Sequence, residues 1–446
     1  MVVREIMNKI SLLLFLPMLS VALPIKNLLI KPTGQFNVSV KEYQWQNTMI
    51  CPDYFYQNSE SQFYKNNPMH CHMLRAYIYY PAVNNSQSYS SYWSHDIISL
   101  NNDILNNVIE SKNLNYAQKT LSLMQKEKSY IFTDGEVAKG KYPMLIFQPG
   151  LGFNAYSYQN FIANIVSHGY IVVAIDSAYN QVMISQDNPT LDIHVPKSDN
   201  GKMSASDVAL IVAPTHSNLA LAKSDYSFVL NKLKTDISLN NITANINFDE
   251  IGGFGHSMGS SSIYEASLES NTQLKAYASL DIGSSNDKSL YVYQPNIPTL
   301  FLRAANDKEF GKTIDASNQF NLLTQNQYLA LMSPSESNVT YSTHRAFTDI
   351  STTYYGNALI DLWYRAYGQA PLDISNFMYS NKINGLQLSK EINQYLVLFF
   401  DQYLKNKPNS YFMKCHAINK NLLLYCGFLL IIYYTQLFQP NSLYLV

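Results

Sequence analysis

The sequence Gly255-His256-Ser257-Met258-Gly259 sets a serine between two glycines, at the junction of a short apolar run and a helix-like run. Small residues on either side let a strand turn sharply into a helix. The hydroxyl then projects above the sheet edge beside free N–H groups of the helix start. The chemistry offered is nucleophilic attack on an acyl carbon. A serine hydroxyl performs it only when an imidazole removes its proton and a carboxylate fixes that imidazole's tautomer and stabilises its cation.

His344, in Ser342-Thr343-His344-Arg345-Ala346-Phe347-Thr348-Asp349, follows the last apolar strand-like run and is the candidate base. Two acids precede it in the order serine, acid, histidine: Asp281, after the run at 276–280, and Asp307, after the run at 299–302. Either strand end could aim a carboxylate at His344, and spacing leaves the choice open. The other histidines carry less. His168 precedes Gly169 at a helix end, where its charge would complement the helix dipole. His256 reads as a packing residue that points away from Ser257, and His95, His194, His216 and His416 stand in no motif.

These side chains need a scaffold, and the apolar pattern supplies one. Runs at 74–80, 144–147, 170–175, 251–254, 276–280, 299–302 and 328–332 have strand length, several of them apolar throughout as in a sheet covered on both faces. Helix-like stretches alternate with them, one at 260–269 after the serine and one at 389–404, which Ser389 would cap. The pattern predicts an α/β class, with a mostly parallel central sheet flanked by helices and N-terminal antiparallel strands. One unit is expected over residues 30–410, with a polar Asn- and Ser-rich insertion from residue 84.

A chain of 446 residues with formal net charge -1 has no basic surplus for nucleic acid. Arg4 and Lys9 precede an apolar run at 10–23 with Ser20 and Ala22 near its end, the pattern of an export signal over residues 1–22. In an oxidising compartment Cys51 and Cys71 could close a loop worth about 3 kcal/mol. His70 and His72 flank Cys71, but no third ligand accompanies them, and neither a metal nor a cofactor is expected. The tail, 411–446, holds an apolar run at 422–438 at the lower length limit for a span. Its charge flanks oppose insertion, yet contact with a membrane surface remains an expectation.

The segments Tyr142-Pro143-Met144-Leu145-Ile146-Phe147 with Gly150-Leu151-Gly152, Ser167-His168-Gly169-Tyr170-Ile171-Val172-Val173-Ala174, Gly255-His256-Ser257-Met258-Gly259, Leu280-Asp281 and His344-Arg345-Ala346-Phe347-Thr348-Asp349 together resemble the platelet-activating-factor acetylhydrolase family of α/β-hydrolases. The resemblance covers most of the body and implies Ser257 as nucleophile, Asp281 as acid and His344 as base. It also implies an oxyanion hole from the backbone N–H groups of Leu151 and Met258. Pro149 and Ser260 depart from that pattern, and Ser260 adds bulk where helix and strand pack closely.

The expected activity is then hydrolysis of lipid or short-acyl esters through an acyl-enzyme, without metal. Two alternatives stand beside it. A polyester- or lipase-like carboxylesterase would use Asp307, since Ile297-Pro298-Thr299-Leu300-Phe301 with Asn306-Asp307 resembles those enzymes, and a silent hydrolase scaffold would serve binding alone.

Overall fold

The structure is a computed structural model that describes residues 29–50, 71–83, 89–92, 118, 122, 125–150, 153–177, 216–269, 272–282, 296–304, 327–332, 344–349 and 385–409. Its strands are β1 (Asn37–Asn47), β2 (His72–Ala82), β3 (Ile131–Thr133), β4 (Tyr142–Gln148), β5 (Ile171–Ser177), β6 (Ile246–His256), β7 (Leu274–Leu280), β8 (Thr299–Ala304) and β9 (Gln327–Met332). They form one sheet in the order β3-β1-β2-β5-β4-β6-β7-β8-β9. From β5 to β9 all pairings are parallel, while β1 pairs antiparallel with β2 and β2 antiparallel with β5. The α/β class and the antiparallel N-terminal strands match the sequence pattern.

Both faces of this sheet are covered, which is why its strands read as unbroken apolar runs. In β4, Leu145 and Phe147 enter one core with Val172, Ala174, Ala278 and Leu302, whereas Met144 and Ile146 enter the other with Ile171, Val173 and Tyr277. The first core is closed by α1 (Gln159–Ser167) and α4 (Gly385–Leu404). The second is closed by α2 (His216–Thr235) and α3 (Ser257–Ser267). Helix α4 meets the sheet through Leu388, Ile392, Leu396, Phe399 and Leu404, a spacing of three to five residues that keeps one face inward.

Two boundaries differ from expectation. Helix α3 begins at Ser257 itself, not at residue 260, because strand and helix join without a loop. Helix α4 begins at Gly385, so Ser389 lies within it, buried, and caps nothing. His168 does end α1, but burial pulls its pKa below the ordinary histidine value. The neutral ring bonds Thr33 Oγ1 at 2.9 Å in place of the expected charge–dipole contact. Cys71 is disulfide-bonded; Cys51, the pairing expected of it, lies outside the described residues, as do residues 1–28 and 410–446. Among the described residues no helix is long and apolar enough to cross a membrane.

Candidate functional site

The strand order reverses between β5-β4 and β6-β7, so chain connections leave the sheet in opposite directions from β4 and β6 and a crevice opens at their C-terminal ends. Register fills that crevice. Gln148 pairs with Gly255, and two residues further on each strand the chain reaches Gly150 and Ser257. His256 pairs with Leu280, so Ser257 and Asp281 leave neighbouring strands at the same level, and Leu280 pairs in turn with Leu302.

At Ser257 the backbone adopts φ 52, a left-handed conformation that L-residues rarely hold. Close backbone packing enforces it. A Cβ on Gly259 would lie 2.1 Å from the Gln148 carbonyl oxygen, and one on Gly255 would lie 2.5 Å from the Gly259 carbonyl carbon. The first turn of α3 therefore rests directly on the ends of β4 and β6. The N-cap residue, His256, makes no side-chain bond to that turn, and the N–H groups of a helix start, Met258 among them, suit a developing anion. Ser257 itself is partly exposed.

Asp281 also has positive φ, 48, held by its own N–H donating to the Leu302 carbonyl at 2.7 Å. Its carboxylate is fully buried and fully engaged. His344 Nδ1 lies 2.7 Å from Oδ2, while Oδ1 accepts the Ala304 N–H at 3.0 Å and has Arg303 Nε at 3.6 Å. Burial works to raise the Asp281 pKa, but the His344 bond, the Arg303 charge and the Ala304 N–H outweigh it and hold the pKa below the ordinary aspartate value. A charged carboxylate thus faces Nδ1, leaving Nε2 as the lone-pair nitrogen.

His344 starts a one-turn 3-10 helix, His344–Phe347, whose position is fixed from two sides. On one side the His256 ring lies 4.5 Å from the His344 ring, centroid to centroid, and His256 Nε2 lies 3.0 Å from the His344 carbonyl oxygen. On the other, buried Asp349 accepts the Asn160 N–H at 3.0 Å and the Tyr92 hydroxyl at 2.8 Å. Asp349 thereby caps α1 and ties the segment of the base to the helix that follows the Gly150 loop. Burial raises its pKa to about 7.

Of the residues expected from the sequence, Ser257, Met258, Asp281 and His344 lie among the described residues, and Asp281 and His344 are in contact there; the side chains around them were not expected. Leu151 and Asp307 lie outside the described residues, as do His95, His194 and His416. His256 is buried as expected but is more than packing, since both ring nitrogens have polar partners. Tyr158 and Arg303 carried no signal, because only the folded sheet brings them to the site. Asp349 lies five residues after His344, and its place in the segment of the base was the available clue. Ser260 does not intrude on the crevice: its Oγ bonds the Tyr277 hydroxyl at 2.6 Å and Ser279 Oγ at 2.8 Å, so its bulk is absorbed within the α3–β7 packing. His72 is buried with Nε2 2.8 Å from Asp225, and among the described residues no group of three or more metal-ligating side chains comes together.

A sequence model of the chlorophyllase family matches residues 106–196, which span β4, the Gly150 loop, α1 and β5 but not Ser257. No curated protein matches the chain. A ferulic acid esterase from Streptomyces cinnamoneus is similar in structure with a TM-score of 0.56 and 15% sequence identity, over 87% of this chain and 97% of that one. Neither match is to the acetylhydrolase family that the motifs resemble, and what they support is the architecture. With its strand order, elbow and crevice, the chain has the α/β-hydrolase fold.

Proposed function

We propose that the chain is a serine carboxylic-ester hydrolase acting through an acyl-enzyme on lipid or short-acyl esters. The observation that carries this reading is the strained Ser257 at the elbow, on the strand end next to a buried Asp281–His344 pair. In the reaction His344 Nε2 takes the Ser257 proton as Oγ attacks the ester carbonyl, and Asp281 stabilises the imidazolium. The tetrahedral oxygen is met by the Met258 N–H at the start of α3 and by an N–H of the loop after β4, Leu151 in the sequence reading. His344 returns the proton to the departing alkoxide, leaving acyl-Ser257. Water, deprotonated by His344, then releases the acid and restores the serine.

A solved structure of similar fold is that of an esterase, which agrees with this class. The preference for lipid or acetyl esters rests on the motif resemblance, and export rests on the N-terminal pattern together with the disulfide at Cys71. The bond already made between Asp281 and His344 disfavours the carboxylesterase reading in which Asp307 is the acid.

Hydrolysis of p-nitrophenyl esters of increasing acyl length tests the proposal. The wild-type chain is expected to turn over, with a rate profile that reports pocket depth. Ser257→Ala is expected to fold normally and lose about 10⁶-fold in kcat. Undiminished turnover in folded Ser257→Ala contradicts the serine mechanism, and an inert wild-type chain favours the silent scaffold.

A further inference from the structure

Tyr158 and His256 join the loop after β4 to the backbone of His344. The Gly150 N–H donates to the Tyr158 hydroxyl oxygen at 3.0 Å, that hydroxyl lies 2.8 Å from His256 Nδ1, and His256 Nε2 lies 3.0 Å from the His344 carbonyl oxygen. Proton counting allows one assignment. A carbonyl oxygen only accepts, so Nε2 must carry the proton; a neutral ring then presents Nδ1 as an acceptor, and the Tyr158 hydroxyl donates to it while accepting from Gly150. Burial and the neighbouring His344 push the His256 pKa well below the ordinary value, and burial keeps Tyr158 protonated, so both partners hold the required states. The ring is fully buried between the His344 ring, Phe153 and Phe347, and a Cβ on Gly150 would come within 2.7 Å of Nδ1.

We infer that His256 is a positioning residue: as a neutral Nε2–H imidazole it couples Gly150, through Tyr158, to the main chain of His344, fixing the end of β4 and the base relative to one another. The catalytic consequence rests on the esterase reading above; the tie itself does not. Ser257 is the next residue along the chain, so the serine, the base and the end of β4 are all referenced to the end of β6. The strain at Ser257 makes such fixing useful, because a small shift of loop or base spoils the attack geometry while substrate still binds.

His256→Phe keeps a ring and removes both polar contacts, Tyr158→Phe removes the middle link, and His256→Gln retains an amide donor able to reach the carbonyl. In the folded full chain with p-nitrophenyl acetate, each Phe variant is expected to lose about 10- to 100-fold in kcat with KM within about twofold. The double variant is expected to be no worse than the poorer single one, because both cut one chain of bonds, and His256→Gln to recover part of the loss. Full kcat in the folded single variants, or losses that multiply in the double variant, overturns the proposal. A second readout needs no turnover. The ¹⁵N spectrum of histidine-labelled protein, with His256 identified by its absence in His256→Phe, is expected to show a neutral Nε2–H ring with a midpoint below that of an ordinary histidine. The titratable groups facing that ring are Tyr158 and His344, with Asp281 behind His344. An Nδ1–H ring, or one with an ordinary or raised midpoint, overturns the tie whatever the activity. The expected signature in a chain that hydrolyses no ester upholds the tie and defeats the esterase reading alone.

Discussion

At the scale of single residues, the proton donors that face Asp281 decide how His344 is held. Its Oδ1 is committed as an acceptor to the Ala304 N–H, with Arg303 close by, and only Oδ2 faces His344. In Asp281→Asn the amide oxygen must keep the Ala304 side, so the NH₂ group points at Nδ1 and forces the proton onto Nε2, the nitrogen that must act as base. The variant is expected to fold and to lose about 10⁴-fold in kcat. Steady-state kinetics beside a melting curve decide the matter, and a near-normal folded enzyme would return Asp307 to consideration. Asp349 does a different job. Asp349→Ala leaves the Asn160 N–H and the Tyr92 hydroxyl without their buried acceptor and is expected to cost about 1–3 kcal/mol in chemical denaturation. An unchanged midpoint would remove Asp349 as the anchor of the His344 segment.

At the scale of elements, the elbow works because α3 starts in contact with the backbone of β4. Gly259→Ala drives a Cβ against the carbonyl oxygens of Gln148 and Pro149, at 2.1 and 2.3 Å, where no flexible side chain can yield. It is expected to destabilise by about 1–3 kcal/mol or more, read from urea unfolding, and an unshifted transition would contradict the packing described. Such contacts explain how far the sequence could be read. Met144 to Phe147 and Ile171 to Ile175 announced their strands because both sheet faces are covered and no polar position interrupts them. Strand β1 was expected among the N-terminal strands but not placed: Lys41, Glu42 and Gln46 are exposed along it, and among the described residues it pairs with β2 and with three residues of β3. Helix α2 was missed for a related reason, since Asp225 is buried against His72 and breaks the apolar stripe. Ser257 and Asp281 were legible as candidates because each directly follows a strand end, and His344 because it comes after the last strand in the order serine, acid, base. Their supports were not, because Tyr158 meets His256 across 98 residues and Tyr92 meets Asp349 across 257.

At the scale of the whole molecule, burial sets an unusual pH response. Asp176, at the end of β5, is raised to about 8 and Asp349 to about 7, both by burial against the opposing pull of their hydrogen bonds. A carboxyl whose folded pKa exceeds its unfolded one binds its proton more tightly when folded. Its contribution to stability is therefore full below the unfolded pKa near 4 and is lost as pH rises towards the folded value. The melting temperature is expected to fall between pH 5.5 and 8.5, and Asp176→Asn, which keeps an acceptor for the Ala155 N–H, is expected to flatten that fall. A melting temperature that climbs across the same interval would contradict it. The central claim, that one serine is activated by the assembled fold, is tested most directly by intact-mass spectrometry after treatment with a fluorophosphonate. A single adduct is expected, mapped to the peptide of Ser257, formed by the native chain and lost both on unfolding and in folded His344→Ala. No adduct, an adduct on another serine, or undiminished labelling of His344→Ala would contradict it.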